Sequence, residues 1–287
     1  MGVLGGGGMY AVAGMRMWSE DVGMLSHVGA DFDSSMLAKL DLQTSMLRIM
    51  GQQTQRAWQL FEHDGHRTQI PRIPLDPWAN QLAYPADFVA LLRAHGVRAV
   101  HILSRGLLHD PALVAQIAAA GVRISLEPII EEGMDSAQRD RVLECLPFVE
   151  IFSPGLGELR VLLGDQPQSQ ALVNLAERGP AIVALRRGAA GSLIYHHPSR
   201  RYLHVPAAPA NVIDVTGAGN AYVGGLLVGW CETGKLEMAA ASAAVSAALM
   251  LEQIGPPTIT PALLANARRR REQMLTELAE VDGHADG

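Results

Sequence analysis

The stretch Ile213-Asp214-Val215-Thr216-Gly217-Ala218-Gly219-Asn220-Ala221-Tyr222-Val223-Gly224-Gly225-Leu226 decides the architecture of this 287-residue chain. Its opening reads as a strand that ends at Asp214, and small residues then lead into an Ala/Gly-rich helical run. A strand that turns into a helix over small residues leaves consecutive backbone N–H groups unpaired and aims them at one point. The positive end of the helix dipole adds to them. Gly217, Ala218 and Gly219 therefore form an anion site, suited to a phosphate or to charge developing on a transferring phosphoryl group. Asn220 stands at the helix entrance, where it can meet whatever that group reacts with.

Around this turn, short apolar runs alternate with helical patterns, which is how βα units on a parallel sheet are written. Strands are expected at 98–103, 122–126, 148–152 and 181–185, with a hairpin joining 191–195 to 202–205 around His197-Pro198-Ser199. Helices are expected at 110–120, where Asp110 and Pro111 open and Gly121 closes the run, and at 136–146, 156–163 and 169–178. The small-residue run 238–251 contains Ser242 and Ser246, is too short to span a bilayer, and reads as a buried helix.

The first quarter differs. Residues 44–73 show strand-like runs at 45–50 and 57–61, with a His63-Asp64-Gly65 turn and no long helix, which predicts a small β lid. Trp58 and Trp78 are expected to pack that lid on the sheet, with stacking on a substrate ring as the alternative. A single domain is expected over 1–287, with the lid at about 1–12 and 44–73, the nucleotide-binding core at about 74–281, and a free tail from 282.

Bulk properties exclude several classes. A net charge of −6 and a pI near 5.9 give no footprint for nucleic acid, and Arg268 to Arg271 are followed by Glu272 and Glu277, as on a solvated helix face. The two cysteines, Cys145 and Cys231, have no metal-ligand spacing and suggest a reduced, cytoplasmic setting. No signal-peptide pattern opens the chain, and no membrane partner is expected. His63, His66, His95, His101 and His109 also lack ligand spacing, and turn or solvent positions account for them.

The 213–227 segment resembles the second signature of the ribokinase-like (PfkB) carbohydrate kinases, in which Asp-Thr-Thr-Gly-Ala-Gly-Asp precedes an aromatic and paired small residues. Gly5 to Gly8 with Ala11 and Ala13 look like the family's first glycine motif, Val28-Gly29-Ala30-Asp31 like its Val-Gly-x-Asp, and Arg187-Gly188-Ala189-Ala190-Gly191 like its late strand-turn. The resemblance implies an α/β fold with a mostly parallel sheet flanked by helices, ATP and Mg2+ as cofactors, and phosphoryl transfer to a sugar or similar hydroxyl. It places Gly6, Gly7, Tyr10 and Asp31 near the substrate. Asp214, Thr216, Arg187, Gly188, Gly191, Ala247 and Gly255 fall near the nucleotide, Glu158 near the metal, and a monovalent cation near Asp214. It also implies a homodimer through the lid.

Three departures accompany the likeness. Asn220 occupies the place of the family's catalytic Asp, and an amide orients a hydroxyl but does not take its proton. Gly155 replaces the Asn of an Asn-x-x-Glu motif, of which Glu158 remains, and Tyr10 lies where a sugar-contacting Asn is usual. Asn at 220 with the Gly-rich start is similar to the fungal maintenance-of-killer branch. A weakened kinase is the leading expectation, and a nucleotide- or metabolite-binding protein without turnover is the alternative. A dinucleotide oxidoreductase is set aside, because no Gly-x-Gly-x-x-Gly follows the first strand. Two features also have simpler roles open to them: Asp31 could cap a helix at 34–40, and Gly5 to Gly8 could be a leader.

Overall fold

The computed structural model describes residues 2–42, 46–61, 67–74, 87–105, 110–130, 133 and 135–281. The chain begins with a helix, α1 (Gly7–Arg16), whose Met9, Tyr10, Ala11, Val12 and Ala13 are buried. Residues 7–12 therefore lie in a core helix, and Gly14 of the same helix lets it rest directly on the backbone of Ala221. The lid consists of two small sheets. In one, β1 (Ser26–Val28) pairs in parallel with β2 (Leu47–Ile49), and in the other β3 (Ala57–Phe61) pairs antiparallel with β4 (Arg67–Pro71). The turn expected at 63–65, the residue Trp78, His63, His66 and His109, and the tail from 282 lie outside the described residues.

The 3-10 helix Ser34–Leu40 is capped by Asp33, which accepts from the Ser35 amide, and not by Asp31. Asp31 instead accepts from the Thr54 amide at 2.7 Å, the Thr54 hydroxyl at 2.8 Å and Arg56 Nη1 at 2.6 Å. The hydrogen bond from the Thr54 side chain is the foremost reason its carboxyl is held down at about 2. It thus binds the loop after β1 to the segment that enters β3. Trp58 does not pack on the main sheet: it is 56% exposed, on the same face of the hairpin as Leu60 and Ile70, with the Arg72 guanidinium over its ring.

Beyond the lid come α2 (Phe88–Ala94), β5 (Ala99–Arg105), α3 (Pro111–Ala119), β6 (Arg123–Ile129), α4 (Ser136–Cys145), β7 (Ile151–Phe152), α5 (Leu156–Leu163), α6 (Gln168–Ala176) and β8 (Ile182–Arg186). The hairpin β9 (Ser192–His196) and β10 (Arg201–Val205) follows, then α7 (Ala218–Thr233), α8 (Leu236–Leu251), α9 (Pro261–Glu277) and β11 (Ala279–Val281). One seven-stranded sheet runs β11-β10-β9-β8-β7-β6-β5, parallel from β5 to β8 and antiparallel from β8 to β11. Helix starts follow cap chemistry: Asp110 accepts from two amides of α3, Asp135 and Gln138 form a capping box on α4, and Thr260 with Pro261 opens α9.

Several expectations change. The strand expected at 148–152 shrinks to two residues, because Pro147 starts a 3-10 turn over Leu146–Phe148. No strand leads into Asp214: residues 206–217 are a loop, and the Ile213 and Asp214 amides both donate to Leu251 O at the end of α8. The apolar residues that suggested a strand, Ile213 and Val215, are more than half exposed. Half of the arginine run is packed, with Arg270 paired to Glu252 at 2.9 Å and the Arg271 guanidinium 4.7 Å from the centre of the Trp18 ring.

The sheet is buried on both faces, and successive residues of β8 alternate between them as strand geometry requires. Ile182 and Ala184 face α7 and α8, whereas Val183 and Leu185 meet Ile117, Val142 and Leu172 on the other side. Among the described residues no helix is long and apolar enough to cross a membrane. Small residues bring α1 against α7 at backbone distance, since a Cβ added at Gly224 would fall on the Ala11 carbonyl. Gly224→Ala should therefore lower unfolding stability by about 1–3 kcal/mol in urea. Gly157→Ala is the opposite control: open space surrounds that helical position, and the alanine should be neutral or stabilising by up to about 1 kcal/mol.

Candidate functional site

The carboxyl ends of the parallel strands carry the chemistry, as in other open α/β sheets. Here α7 begins at Ala218 with Gly217 as its cap residue in the left-handed region, φ 83°, and no side chain caps the helix start. Asp214 accepts from the Thr216 amide at 2.9 Å, which folds the preceding turn. The first amides of α7 are left for a ligand, with the helix dipole behind them.

The glycines of this turn answer to the protein as much as to any ligand. A Cβ at Gly217 would strike the Tyr10 ring, and one at Gly219 would lie 2.5 Å from Arg186 Nη1. Tyr10 is thus a buried floor under the turn, and burial, followed by the charge of Asp214, raises its phenol above the ordinary value. Gly7 opens α1 and comes close to residue 220, because a Cβ there would stand 3.3 Å from Asn220 Nδ2. Gly6, with φ 103°, precedes it. Two helix starts, neither capped by a side chain, therefore meet at Asn220.

Beneath them lies a buried charge network that the sequence did not reveal. Asn220 Nδ2 donates to Glu127 Oε2 at 2.9 Å. Arg186 Nη1 donates to Glu127 Oε1 at 2.5 Å, and its Nη2 to Glu158 Oε2 and Ser153 O, each at 3.0 Å. His101 is not a solvent residue: its Nδ1 pairs with Ser125 Oγ at 3.2 Å and its Nε2 stands 3.5 Å from Glu127 Oε2. Burial alone would raise the Glu127 carboxyl, but the Arg186 guanidinium, with His101 and Asn220, outweighs it and holds the group below the ordinary carboxylate range. Glu158 goes the other way. Burial raises it, and the more distant share of Arg186 and the Gly155 amide do not fully offset that. The guanidinium charge is thus committed mainly to Glu127.

This arrangement bears on a metal. Glu158 Oε2 accepts from the Gly155 amide at 2.6 Å and from Arg186 Nη2 at 3.0 Å. No cluster of three or more His, Cys, Asp or Glu suited to a metal occurs among the described residues. Both contacts fall on Oε2 of Glu158, and the Thr216 contact falls on Oδ1 of Asp214, so each carboxylate is oriented through one of its two oxygens.

The other expected positions divide into groups. Arg187, Gly188 and Gly191 form the tight turn directly after Arg186, where Arg187 N donates to Gly191 O at 2.8 Å. Thr216 and Asp214 are joined through Leu251 O to the end of α8, which carries Ala247. Gly255, at φ 76°, lies against Val3 and Leu4, near the chain start. Asp31 stands apart, since its partners Thr54 and Arg56 belong to the lid. Glu127, Arg186 and His101 escaped sequence reasoning. The one signal available was charge inside apolar runs: Glu127 before Pro128, Arg186 closing Ile-Val-Ala-Leu, and His101 within Ala-Val-His-Ile-Leu.

Comparison with known proteins agrees with this geometry. The model of the pfkB family of carbohydrate kinases matches residues 3–263. A cytidine kinase of Thermococcus kodakarensis is 24% identical over 218 residues, 75% of this chain and 76% of that protein. An ATP-dependent ribose-1-phosphate kinase of Halopiger xanaduensis is 26% identical over 235 residues, 80% of this chain and 73% of that one. Among solved structures, an E. coli chain described as a ribokinase II, in complex with ATP and Mg2+, aligns with a TM-score of 0.78 at 21% identity, over 94% of this chain and 89% of its own. The fold is ribokinase-like α/β, and the chain belongs to the pfkB family of carbohydrate kinases.

Proposed function

We propose that the chain transfers the terminal phosphoryl group of ATP to a hydroxyl of a sugar or nucleoside-like acceptor, at a rate reduced by the carboxamide at 220. The observation that carries this proposal is the uncapped start of α7, with Asn220 immediately behind its glycine turn at the carboxyl edge of the sheet. The Gly217, Ala218 and Gly219 amides would hold the transferring group, and Asn220 Oδ1 would accept a hydrogen bond from the acceptor hydroxyl. Gly6 and Gly7 would close the acceptor side, with Asp31 as part of the lid. Asp214 and Thr216, the turn at Arg187, Gly188 and Gly191, and the Ala247 and Gly255 region would border the nucleotide.

Magnitudes favour a slow enzyme over none. General-base assistance is worth about 10²–10⁴ in rate, whereas positioning and charge stabilisation supply most of phosphoryl-transfer catalysis. No step is assigned to a metal at Glu158. One observation favours a second reading, a nucleotide-binding protein without turnover: the Asn220 amide is committed to Glu127 and leaves only its oxygen for a substrate. Calorimetry with ATP, combined with an acceptor panel of ribose, ribose 1-phosphate and cytidine, separates the two. Binding with transfer to any acceptor supports the kinase, and binding with no transfer supports the alternative.

The lid supports a homodimer, because Trp58, Leu60 and Ile70 form an exposed apolar face on a two-stranded hairpin that is marginal alone in water. Two free cysteines, Cys145 and Cys231, suit a reducing, cytoplasmic setting.

Ala218→Glu tests the phosphate cradle. A carboxylate in the first turn favours the helix dipole, so melting should be unchanged or slightly raised, while ATP binding weakens by about a hundredfold or more. Unchanged ATP affinity in a folded Ala218→Glu protein would sink the cradle. For the lid, light scattering should give the mass of two chains, falling to one in Trp58→Glu.

A further inference from the structure

Asn220 is tied to a neighbour whose charge is fixed by other contacts. Its Nδ2 meets Glu127 Oε2 at 2.9 Å, and the Glu127 side chain is only 6% exposed, so water does not compete for that bond. An amide has one donating and one accepting end. With Nδ2 on the carboxylate, Oδ1 is turned away from Glu127. Around this pair stand His101 from β5, Ser125 from β6, Gly7 from α1, Arg186 from β8 with Glu158 of α5 behind it, and, beyond Arg186, Tyr222 from α7.

We infer that Glu127 and residue 220 are a matched pair, in which Glu127 fixes the carboxamide with its oxygen available to a hydroxyl and excludes a carboxylate from position 220. Glu127 is then a positioning residue. A carboxylate at 220 would lie about 3 Å from a second, buried one, a spacing at which two such groups share a proton instead of both ionising. The guanidinium that might relieve them is already divided between Glu127 and Glu158. Replacing Asn220 by the acid that is usual in the family therefore does not supply a general base while Glu127 remains. Exchanging the pair does: in Asn220→Asp with Glu127→Gln, the new amide can donate to residue 220 and accept from Arg186, with the same net charge and nearly the same shape. The catalytic meaning rests on the phosphotransfer proposed above, but the pairing itself does not.

The test is a cycle of Asn220→Asp, Glu127→Gln and the double variant, read by thermal melting across pH. Each single change should lower the melting temperature, and the double should recover most of the loss. The sign with pH is fixed. A carboxyl at 220 whose folded pKa is raised leaves the deficit smallest below the unfolded value of about 4 and deepest once pH exceeds the folded value. Additive losses, a double variant no better folded than the poorer single, or an Asn220→Asp deficit that does not change between pH 4 and 8 would each overturn the pairing. With ATP and the same acceptors, only the double should exceed the parent, by about a hundredfold. Melting that couples as described, with no transfer by any variant, would uphold the pairing and count against the phosphotransfer alone.

Discussion

The site depends on one buried cation. Arg186 lies under the first turn of α7, divides its guanidinium between two carboxylates and a carbonyl, and touches the only backbone position in that turn where a side chain would displace it. A charge in that environment is tolerable because it is paired and hydrogen-bonded, and removing one partner typically costs about 3–5 kcal/mol. Its placement also orders the neighbours. Glu127 is held below the ordinary carboxylate range, Glu158 is raised by burial, and the Asn220 amide donates to Glu127. Above this cluster stand the first backbone amides of α7.

Packing of small residues brings the parts to one place. α1 and α7 approach so closely that a methyl group on Gly224 would meet a carbonyl, and Gly229 and Gly225 allow α8 the same intimacy. Because backbone rests on backbone, the starts of α1 and α7 are fixed relative to each other with little freedom in the intervening side chains. Ser246 strengthens this corner, receiving the Trp18 indole N–H at 2.8 Å. The chemistry of the turn thus rests on residues further along α7 that are chosen for lack of volume.

Much of this was legible before any coordinates, and the parts that were not share a cause. The glycine turn at 217–219, the helix cap at Asp110 and the hairpin at 197–199 are local, and local chemistry is written in adjacent residues. Asp214 as a strand end was misread because exposed Ile213 and Val215 mimic a buried ladder when only their types are known. The Glu127, Arg186, Asn220 and His101 network was invisible for another reason. Its members come from four elements, Arg186 and Glu127 being 59 positions apart, and only the order of strands in the sheet makes them neighbours. Glu158 was read as a site residue from its place in the chain, but its ion pair with Arg186 could not be read there.

The hydrogen bond between Asn220 and Glu127 has a historical corollary. Two positions that must be acid and amide, in either order, cannot trade places by single substitutions without passing through acid–acid or amide–amide, and both intermediates forfeit a contact in a dry interior. A lineage that has settled on one arrangement is therefore held there by a ratchet. An amide at 220 paired with Glu127 is then easier to preserve than to replace, whatever selection acts on turnover.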